Sequence, residues 1–424
     1  MNTTPSNIGP LLPLPEPLRG SDPHSFAQRT LSQRLPGIAR RVLRSNPWHM
    51  PAKTRLQALA DEMPHGKLRP LDDPQAPDAA AWEVDFAPYL GLTWLEAPWF
   101  VVETYFFRRI LEATGYYQTG PGFHVDPYRS EKHFEQEHIS SHMHSLCAHL
   151  EVLSTPNRLS GLENPALIVQ FQKKLAAILR ANIWGNQADR SMWPAGSREA
   201  PSFQPNSRPD EHLLVDHSDQ VAEFFSRQEA LSHRVDLILD NSGIELAYDL
   251  GLVDFLLARP FTQEFYLHAK AHPTYVSDVS VPDIFETIDH LQAAAHDCLR
   301  RLAERLRGYL DDGKLKLQTD YFWTSPLSGW EMHEELRSEL GKADLIFSKG
   351  DANYRRWLGD RHWLHTTPVD EILAYFPTSM VMLRVLKANL IAGLPSGLTE
   401  RMNSQDPEWL HNGKWGIIQA ARLP

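Results

Sequence analysis

The sequence has little cysteine, with only Cys147 and Cys298 among its 424 residues. Two thiols so far apart do not make a disulfide framework, and they indicate a reducing compartment. The sequence also lacks a run of about 20 apolar residues that would cross a bilayer, and its N-terminus lacks the charged-then-apolar order of a signal peptide. We therefore expect a soluble, cytoplasmic protein that does not interact with a membrane.

Basic residues are also fewer than acidic residues. The chain has 42 basic and 53 acidic residues, and its formal net charge is -11. Nonspecific binding of nucleic acid needs a cationic surface that replaces counterions, so we exclude nucleic acid as a partner. The net charge does not exclude a local basic pocket that binds a small anion. We predict no obligatory protein partner.

What is present is typical of a globular enzyme with a sizeable core: 42% of the residues are hydrophobic, and there are 12 Trp and 18 Phe. Prolines are frequent in residues 1–24, which predicts a flexible tail. Residues 25–230 have mainly helical patterns, including an amphipathic helix from Ser25 to Arg44 that is broken or kinked at Pro36, with its arginines facing solvent. Residues 231–424 are predicted to form the α/β catalytic subdomain of a single compact body.

The second half alternates strand-like runs with segments long enough to be crossover helices, such as Phe285–Leu310 and Glu331–Leu340. This alternation is typical of an α/β fold. We predict a Rossmann-like three-layer sandwich with a mainly parallel sheet and an N-terminal helical layer. The predicted strands are Val235–Leu239, Glu264–His268, Lys314–Leu317, Leu345–Phe347 and Met380–Leu383.

Polar residues follow two of these strands. Asp240 and Asn241 come directly after the first, and Asp278 follows the second. Ligands bind outside the carboxyl ends of strands in open α/β sheets, and hard cations such as Mg²⁺ or Mn²⁺ prefer oxygen donors. The alternative, which is the more common role of an Asp-Asn pair at this place, is a helix N-cap.

Two further strands end in charged residues. Lys349, Gly350 and Asp351 follow the fourth run, where glycine permits close approach of a ligand and an ammonium group can meet a phosphate. Arg384 and Lys387 follow the fifth run and suit phosphate recognition. A generic polar loop and a solvated surface are the respective alternatives.

Three other features have weaker patterns. The histidines of residues 133–149 have no recognised zinc spacing, so we interpret them as a solvated helix. Glu103 lies within an aromatic segment that we expect to be core, and a buried carboxylate needs a partner. The loop containing Asn186 either turns the chain or enters a site. We include Glu103 and Asn186 among the candidate substrate-binding residues.

Taken together, these motifs resemble the metal-dependent damage-control phosphatase family, formerly domain of unknown function eighty-nine. Within it the chain is similar to the sugar-phosphate branch, which has also been labelled a protein-glutamate O-methyltransferase. The similarity spans roughly Ser25 to Leu390. The motifs are Asp240-Asn-Ser-Gly-Ile-Glu245, Val276-Ser-Asp278, Ser348-Lys-Gly-Asp351-Ala-Asn353-Tyr354-Arg355, Asp126-Pro-Tyr-Arg129 and Trp184-Gly-Asn186.

The resemblance implies roles for individual residues. Asp240, Asn241 and Asp278 match the family's metal ligands, for which Mn, Mg, Co or Ni is the expected divalent cofactor. Arg384 and Lys387 match an Arg-Thr-x-Lys signature, in which Val385 here replaces the threonine. The remaining implied substrate-contacting residues are Glu245, Lys349, Gly350, Asp351, Asn353 and Tyr354.

The implied reaction is hydrolysis of a small phosphorylated metabolite, such as fructose 1-phosphate or fructose 6-phosphate. The predicted catalytic residues are Asp240, Asp278, Lys349 and Asp351. Lysines would offset charge on the phosphate, and either Asp351 or Glu245 would handle a proton. A metal-positioned water and Asp240 itself are both open as the nucleophile.

Three other functions remain as alternatives. An S-adenosylmethionine-dependent protein-carboxylate methyltransferase would need a cofactor loop, yet no Gly-x-Gly-type loop follows an early strand. A haloacid-dehalogenase-like phosphatase would need a second acid where Ser242 stands. A non-catalytic phosphosugar-binding protein is the alternative from outside the enzymes.

Overall fold

The sheet occupies the centre of the fold in a computed structural model that describes residues 9–136, 139, 165–184, 209–227, 232–259 and 261–423. Seven strands lie in the order β1-β7-β6-β5-β2-β3-β4. All neighbours are parallel except β6 and β7, which are antiparallel. The strands are β1 Leu213–Asp216, β2 Ser232–Ile238, β3 Thr262–Lys270, β4 Leu315–Asp320, β5 Leu345–Lys349, β6 Ser379–Val385 and β7 Gly416–Ala421.

Helices cover both faces of this sheet. Numbered over the described residues, the α-helices are α1 Phe26–Arg29, α2 Leu35–Ser45, α3 Met50–Glu62, α4 Ala79–Phe86, α5 Trp99–Thr114, α6 Arg129–Gln136, α7 Pro165–Trp184, α8 Ser218–Ser226, α9 Ile244–Leu257, α10 Val281–Ala293, α11 Asp297–Asp311, α12 Glu334–Leu340, α13 Asp351–Leu358, α14 Val369–Ile372 and α15 Leu398–Gln405. Short 3₁₀ turns occur at Ala87–Tyr89, Pro209–His212, Tyr321–Thr324, Gly329–Glu331 and Leu373–Tyr375.

Alternating side chains of the central strands supply two separate cores. In β5, Leu345 and Phe347 pack with α7, α9 and α11, whereas Ile346 between them packs with the N-terminal helices and α13. A strand directs successive side chains to opposite faces, so a continuous apolar run is stable only when both faces are covered. The predicted α/β sandwich with a mainly parallel sheet and an N-terminal helical layer is therefore confirmed.

The five predicted strands are all present, and the structure adds two. The antiparallel pairing of β6 with β7 and the edge strand β1 were not predicted. The single predicted crossover helix at Phe285–Leu310 is also corrected: α10 ends at Ala293 and α11 begins at Asp297. The predicted helix at Glu331–Leu340 begins later, since Gly329–Glu331 is a 3₁₀ turn before α12.

The N-terminal segment differs from the predicted flexible tail over its described part. The Leu11 amide donates to the Glu371 carbonyl at 3.1 Å, and the Leu18 amide donates to the Asp360 carbonyl at 2.8 Å. Prolines exclude this segment from the sheet ladder, but the amides between them still pair with loops. The predicted boundary after residue 230 stays a prediction, although the sheet takes β1 from before it.

The predicted break in the first long helix lies before Pro36. A π-helical turn, Thr30–Arg34, joins α1 to α2, and Pro36 stands in the first turn of α2, where proline is tolerated. No helix in the described ranges is both long and apolar enough to cross a membrane.

Candidate functional site

A cleft of about 440 Å³, partly open to solvent, lies at the carboxyl edge of the parallel strands. The sheet side contributes strand-end loops and α13, and the N-terminal helices close the opposite side. The cleft is lined by Phe26, Arg34, Trp99, Glu103, Asp240, Asn241, Tyr275, Asp278, Asp351, Ala352, Arg355 and Lys387.

Asp240 and Asn241 lie in the turn between β2 and α9, and both are buried. The residue that caps α9 is Gly243, so neither of them has the helix-capping role that was the alternative. The Asn241 amide Nδ2 donates to Asp240 Oδ2 and to Glu245 Oε2, both at 2.8 Å. The turn thus presents its polar groups to the cleft and to the first turn of α9.

Asp278 reaches this turn through the loop after β3. The Val279 amide donates to the Asp240 carbonyl at 2.8 Å, and the Ser242 amide donates to the Ser277 carbonyl at 2.7 Å. Tyr275 and Val276 have φ values of 46° and 73°, which L-residues rarely adopt. Strained backbone persists only where surrounding contacts fix it, and here those contacts place Asp278 beside Asn241.

One of these contacts predicts a measurable stability effect. Thr104 Oγ1 donates to the Phe100 carbonyl and accepts the Tyr275 hydroxyl at 2.8 Å. Thr104→Val leaves that buried hydroxyl without its acceptor, so we expect the free energy of unfolding to fall by about 1–2 kcal/mol in chemical denaturation.

The matched control for this substitution lies on the same helix. Thr114 is buried as well, but its hydroxyl bonds only to carbonyls of its own helix, of Ile110 and Leu111. Thr114→Val should therefore destabilise the protein by less than half as much. Equal losses for the two variants would show that the Tyr275 contact does not support the loop.

Negative charge is concentrated and buried around Asp240. Burial, together with the carboxylates of Glu245 and Asp278, raises the pKa of Asp240 well above its ordinary value, although Lys270 and Lys387 oppose the shift. Among the described residues, no group of three or more His, Cys, Asp or Glu side chains is placed so that it could hold a metal ion. An amide oxygen is equally a hard donor, however, so two carboxylates with Asn241 fit a divalent cation.

Gly350 allows the Asp240 carboxylate to lie directly against the backbone of the β5–α13 turn. Its φ is 84° and its ψ is 175°, a conformation that is essentially restricted to glycine. A Cβ atom at this position would lie 1.8 Å from Asp240 Oδ2. The prediction of a close approach at Gly350 therefore has a structural basis, although the atom that approaches belongs to the protein.

Lys349 lies behind the cleft, among buried acids of α9. Its Nζ is 2.9 Å from Asp249 Oδ1 and 3.3 Å from Glu245 Oε1, and it also donates to the side chain of Asn182. Burial opposes the charge, but Asp249 and Glu245 hold the pKa of Lys349 above its ordinary value. Lys349 thus neutralises Glu245, which in turn accepts from Asn241. It does not line the cleft, in contrast to its predicted contact with phosphate.

Asp351 lines the cleft and is fixed from behind. Its Oδ1 accepts from Arg384 Nε at 2.8 Å and from the Lys387 amide at 3.2 Å. Arg384 is fully buried and also donates to the Leu390 carbonyl at 2.5 Å, so the structure gives it a positioning geometry rather than the predicted phosphate-facing one. Lys387 itself lines the cleft.

Asn353 and Tyr354 are buried in α13. Asn353 Nδ2 donates to the Lys349 carbonyl at 2.8 Å, and its Oδ1 accepts from Lys270 Nζ at 3.1 Å. The Tyr354 ring packs under the Arg384 guanidinium at 4.2 Å from its centroid. Neither side chain lines the cleft. Asn353 contacts Lys270, which pairs with Asp278, and Tyr354 contacts Arg384, which holds Asp351.

The N-terminal layer supplies the opposite wall. Glu103 Oε2 accepts from Arg355 Nη1 at 2.5 Å, which provides the partner that a buried carboxylate needs. Arg355 also pairs with Asp360 and lies 3.6 Å above the Trp99 ring. Arg34 Nη1 approaches Glu103 Oε1 at 3.4 Å. Arg34 is therefore half-buried at the cleft instead of facing solvent, as was predicted for the arginines of this helix.

Sequence reasoning missed Lys270, whose Nζ lies 3.3 Å from Asp278 Oδ2. Lys270 ends β3, so the rule that identified Asp240 and Lys349 at strand ends would have found it. Asn186 lies outside the described residues. Of the histidines within residues 133–149, only His133 has a described side chain, which accepts from Arg129 Nε at 3.0 Å on α6.

Comparison with known proteins agrees with the motifs. A family model described as the damage-control phosphatase ARMT1-like domain matches residues 30–402. A protein named damage-control phosphatase ARMT1 from Danio rerio is 35% identical over 77% of this chain and 74% of its own length. The Homo sapiens protein of the same name is 29% identical over 96% and 98%.

A solved DUF89 family protein from Pyrococcus horikoshii covers 91% of this chain and 95% of its own, with a TM-score of 0.45 and 14% identity. The family match extends over most of the chain and includes every residue of the cleft except Phe26. It confirms the predicted family and supports a phosphatase role in metabolite repair. The chain belongs to the damage-control phosphatase ARMT1-like family.

Proposed function

We propose that this protein is a metal-dependent phosphatase that hydrolyses small phosphomonoesters, with sugar phosphates such as fructose 1-phosphate or fructose 6-phosphate as its substrates. The observation that carries the proposal is the convergence of Asp240, Asn241 and Asp278 in one cleft with Asp351 and Lys387. Three carboxylates, an amide and an ammonium group at one strand edge suit a phosphate that is bound together with a cation.

Asp240, Asn241 and Asp278 would hold Mn, Mg, Co or Ni. A divalent ion supplies positive charge to phosphoryl oxygens and makes a bound water a better nucleophile. The raised pKa of Asp240 supports a cation at this place, because the buried carboxylates around it repel one another.

The chain's own residues have separable roles. The Lys387 ammonium group offsets the negative charge of the phosphoryl oxygens. Asp351, held by Arg384, accepts or donates the proton, and it is a better candidate than Glu245 because it lines the cleft whereas Glu245 lies beneath Asn241. Water and Asp240 both remain as the nucleophile.

The test is phosphate release from a panel of sugar phosphates in the presence of each of the four metals. Wild type should release phosphate only with metal, and Asp278→Ala should be inactive. Asp320→Asn is the control, since Asp320 ends β4 at the same sheet edge but pairs with His333 outside the cleft. Absence of phosphate release from every substrate would contradict the proposal, and metal-free methyl transfer from S-adenosylmethionine to a protein carboxylate would support the rival.

A further inference from the structure

The π-helical turn Thr30–Arg34 brings an N-terminal arginine to the cleft. A π-turn contains more residues per turn than an α-helix and is frequent at functional sites. Here α-helix precedes and follows the five residues, and the last of them, Arg34, lines the cleft. The irregular turn therefore ends with the Arg34 side chain at the cleft.

The other arginine of the cleft is firmly held by acids. Arg355 donates to both carboxylate oxygens of Asp360, at 2.8 and 2.9 Å, and to Glu103 at 2.5 Å. By contrast, the contact of Arg34 with Glu103 measures 3.4 Å, and its side chain is 22% exposed. Arg34 therefore lines the cleft beside Glu103 with part of its side chain open to solvent, while Arg355 neutralises Glu103.

We propose that Arg34, together with Glu103, contacts the hydroxyl groups of the sugar portion of the substrate and determines specificity for it. This inference rests on the proposed function, in which the phosphate lies at the opposite wall beside Asp240, Asp278 and Lys387. A guanidinium offers several donors and a carboxylate offers acceptors, so the pair satisfies both requirements of neighbouring hydroxyl groups. An aryl phosphate has no such hydroxyls and would not use Arg34.

The experiment compares Arg34→Gln with wild type on two substrates: the sugar phosphate that wild type hydrolyses fastest, and p-nitrophenyl phosphate. Loss of one charge-assisted contact should raise KM for the sugar phosphate about tenfold. Neither kcat for the sugar phosphate nor KM for p-nitrophenyl phosphate should change by more than about twofold. This split between substrates is a result that a general loss of structure would not produce.

Arg41→Gln is the matched control. Arg41 lies on α2 and is exposed to a similar extent, 24%, and it forms an ion pair of 3.6 Å with Glu131 outside the cleft. Kinetics of this variant should equal those of wild type on both substrates. Melting temperatures of both variants should be measured as well. Arg34→Gln should stay folded, because Arg355 still pairs with Glu103.

Two results would overturn the assignment. An equal rise in KM for both substrates would place Arg34 at the phosphate, and an unchanged KM for both would remove it from the substrate altogether. Calorimetric titration of the same sugar phosphate into both proteins separates this inference from the proposed function. If wild type binds the sugar phosphate without hydrolysing it, and Arg34→Gln binds it more weakly, the role of Arg34 stands and the phosphatase function is rejected.

Discussion

Gly350→Ala is expected to abolish phosphate release and to destabilise the protein. The added Cβ would lie 1.8 Å from Oδ2 and 2.0 Å from Cγ of Asp240, so the carboxylate would have to leave its position. Alanine would also have to adopt φ 84° with ψ 175°. We expect a loss of about 2–4 kcal/mol in free energy of unfolding. The displaced carboxylate should lower kcat/KM at least about 100-fold.

The control for backbone strain is Gly397→Ala. Gly397 also has a positive φ, 80°, but a Cβ atom there would meet nothing within 4 Å. Unfolding in denaturant and steady-state phosphate release should be measured for both variants. Gly397→Ala should lose some stability and no activity. Full activity in Gly350→Ala would show that the position of Asp240 against the β5–α13 turn is not needed for the reaction.

Asp240→Asn is expected to make the metal-free protein more stable and the enzyme inactive. At neutral pH the substitution removes one of several buried carboxylates that repel one another, and the Asn241 amide keeps an oxygen acceptor. Melting temperature without metal should therefore rise. Activity should fall on the order of 1000-fold, since charge stabilisation at the reacting phosphate is lost. Saturating Mn²⁺ should reverse the order of stability, because ligand binding stabilises only the wild type.

The gain in stability should depend on pH in a defined direction. The pKa of Asp240 is raised in the folded state, so its contribution to wild-type stability is present below the ordinary aspartate pKa and is lost as pH rises through the raised value. The advantage of Asp240→Asn should therefore be greatest at high pH and shrink on acidification. Melting curves across pH in a chelating buffer measure this. A variant that is less stable than metal-free wild type at neutral pH would contradict the charge repulsion.

Much of the fold follows from local sequence patterns. The runs of β5 and β6 are almost continuously apolar because both faces of these strands are buried. The residues that follow the parallel strands lie at one edge because those strands point the same way. This rule placed Asp240, Asn241, Asp351 and Lys387 together. Local patterns did not predict β7, because Gly416–Ala421 is short, contains a glutamine and pairs antiparallel with β6. They did not predict β1 either, because it has only four residues.

Side-chain direction explains the main difference at the site. Lys349 has the same parity in β5 as Leu345 and Phe347, so it points with them toward α9 and pairs with Glu245 and Asp249. The two-residue period of a strand predicts the face of the sheet toward which Lys349 points. The predicted contact of Lys349 with the ligand rested instead on its place as a polar residue at a strand end.

The position of Arg34 could not be predicted from the sequence. An α-helical pattern without the extra residue of the π-turn gives the wrong direction for every side chain after it. Likewise, the backbone of Tyr275 and Val276 is set by tertiary contacts, including the hydroxyl bond to Thr104, and not by their own preferences. Sequence alone thus locates the wall built by strand ends better than the wall built by the helical layer.

Asp240, Asn241 and Asp278 are expected to bind a divalent cation where the substrate phosphate meets the protein. Anomalous diffraction from crystals soaked in Mn²⁺ tests it most directly. We predict one strong peak with oxygens of all three residues within roughly 2.0–2.6 Å. A manganese peak elsewhere on the protein, with none between these three side chains at saturating Mn²⁺, would contradict the account.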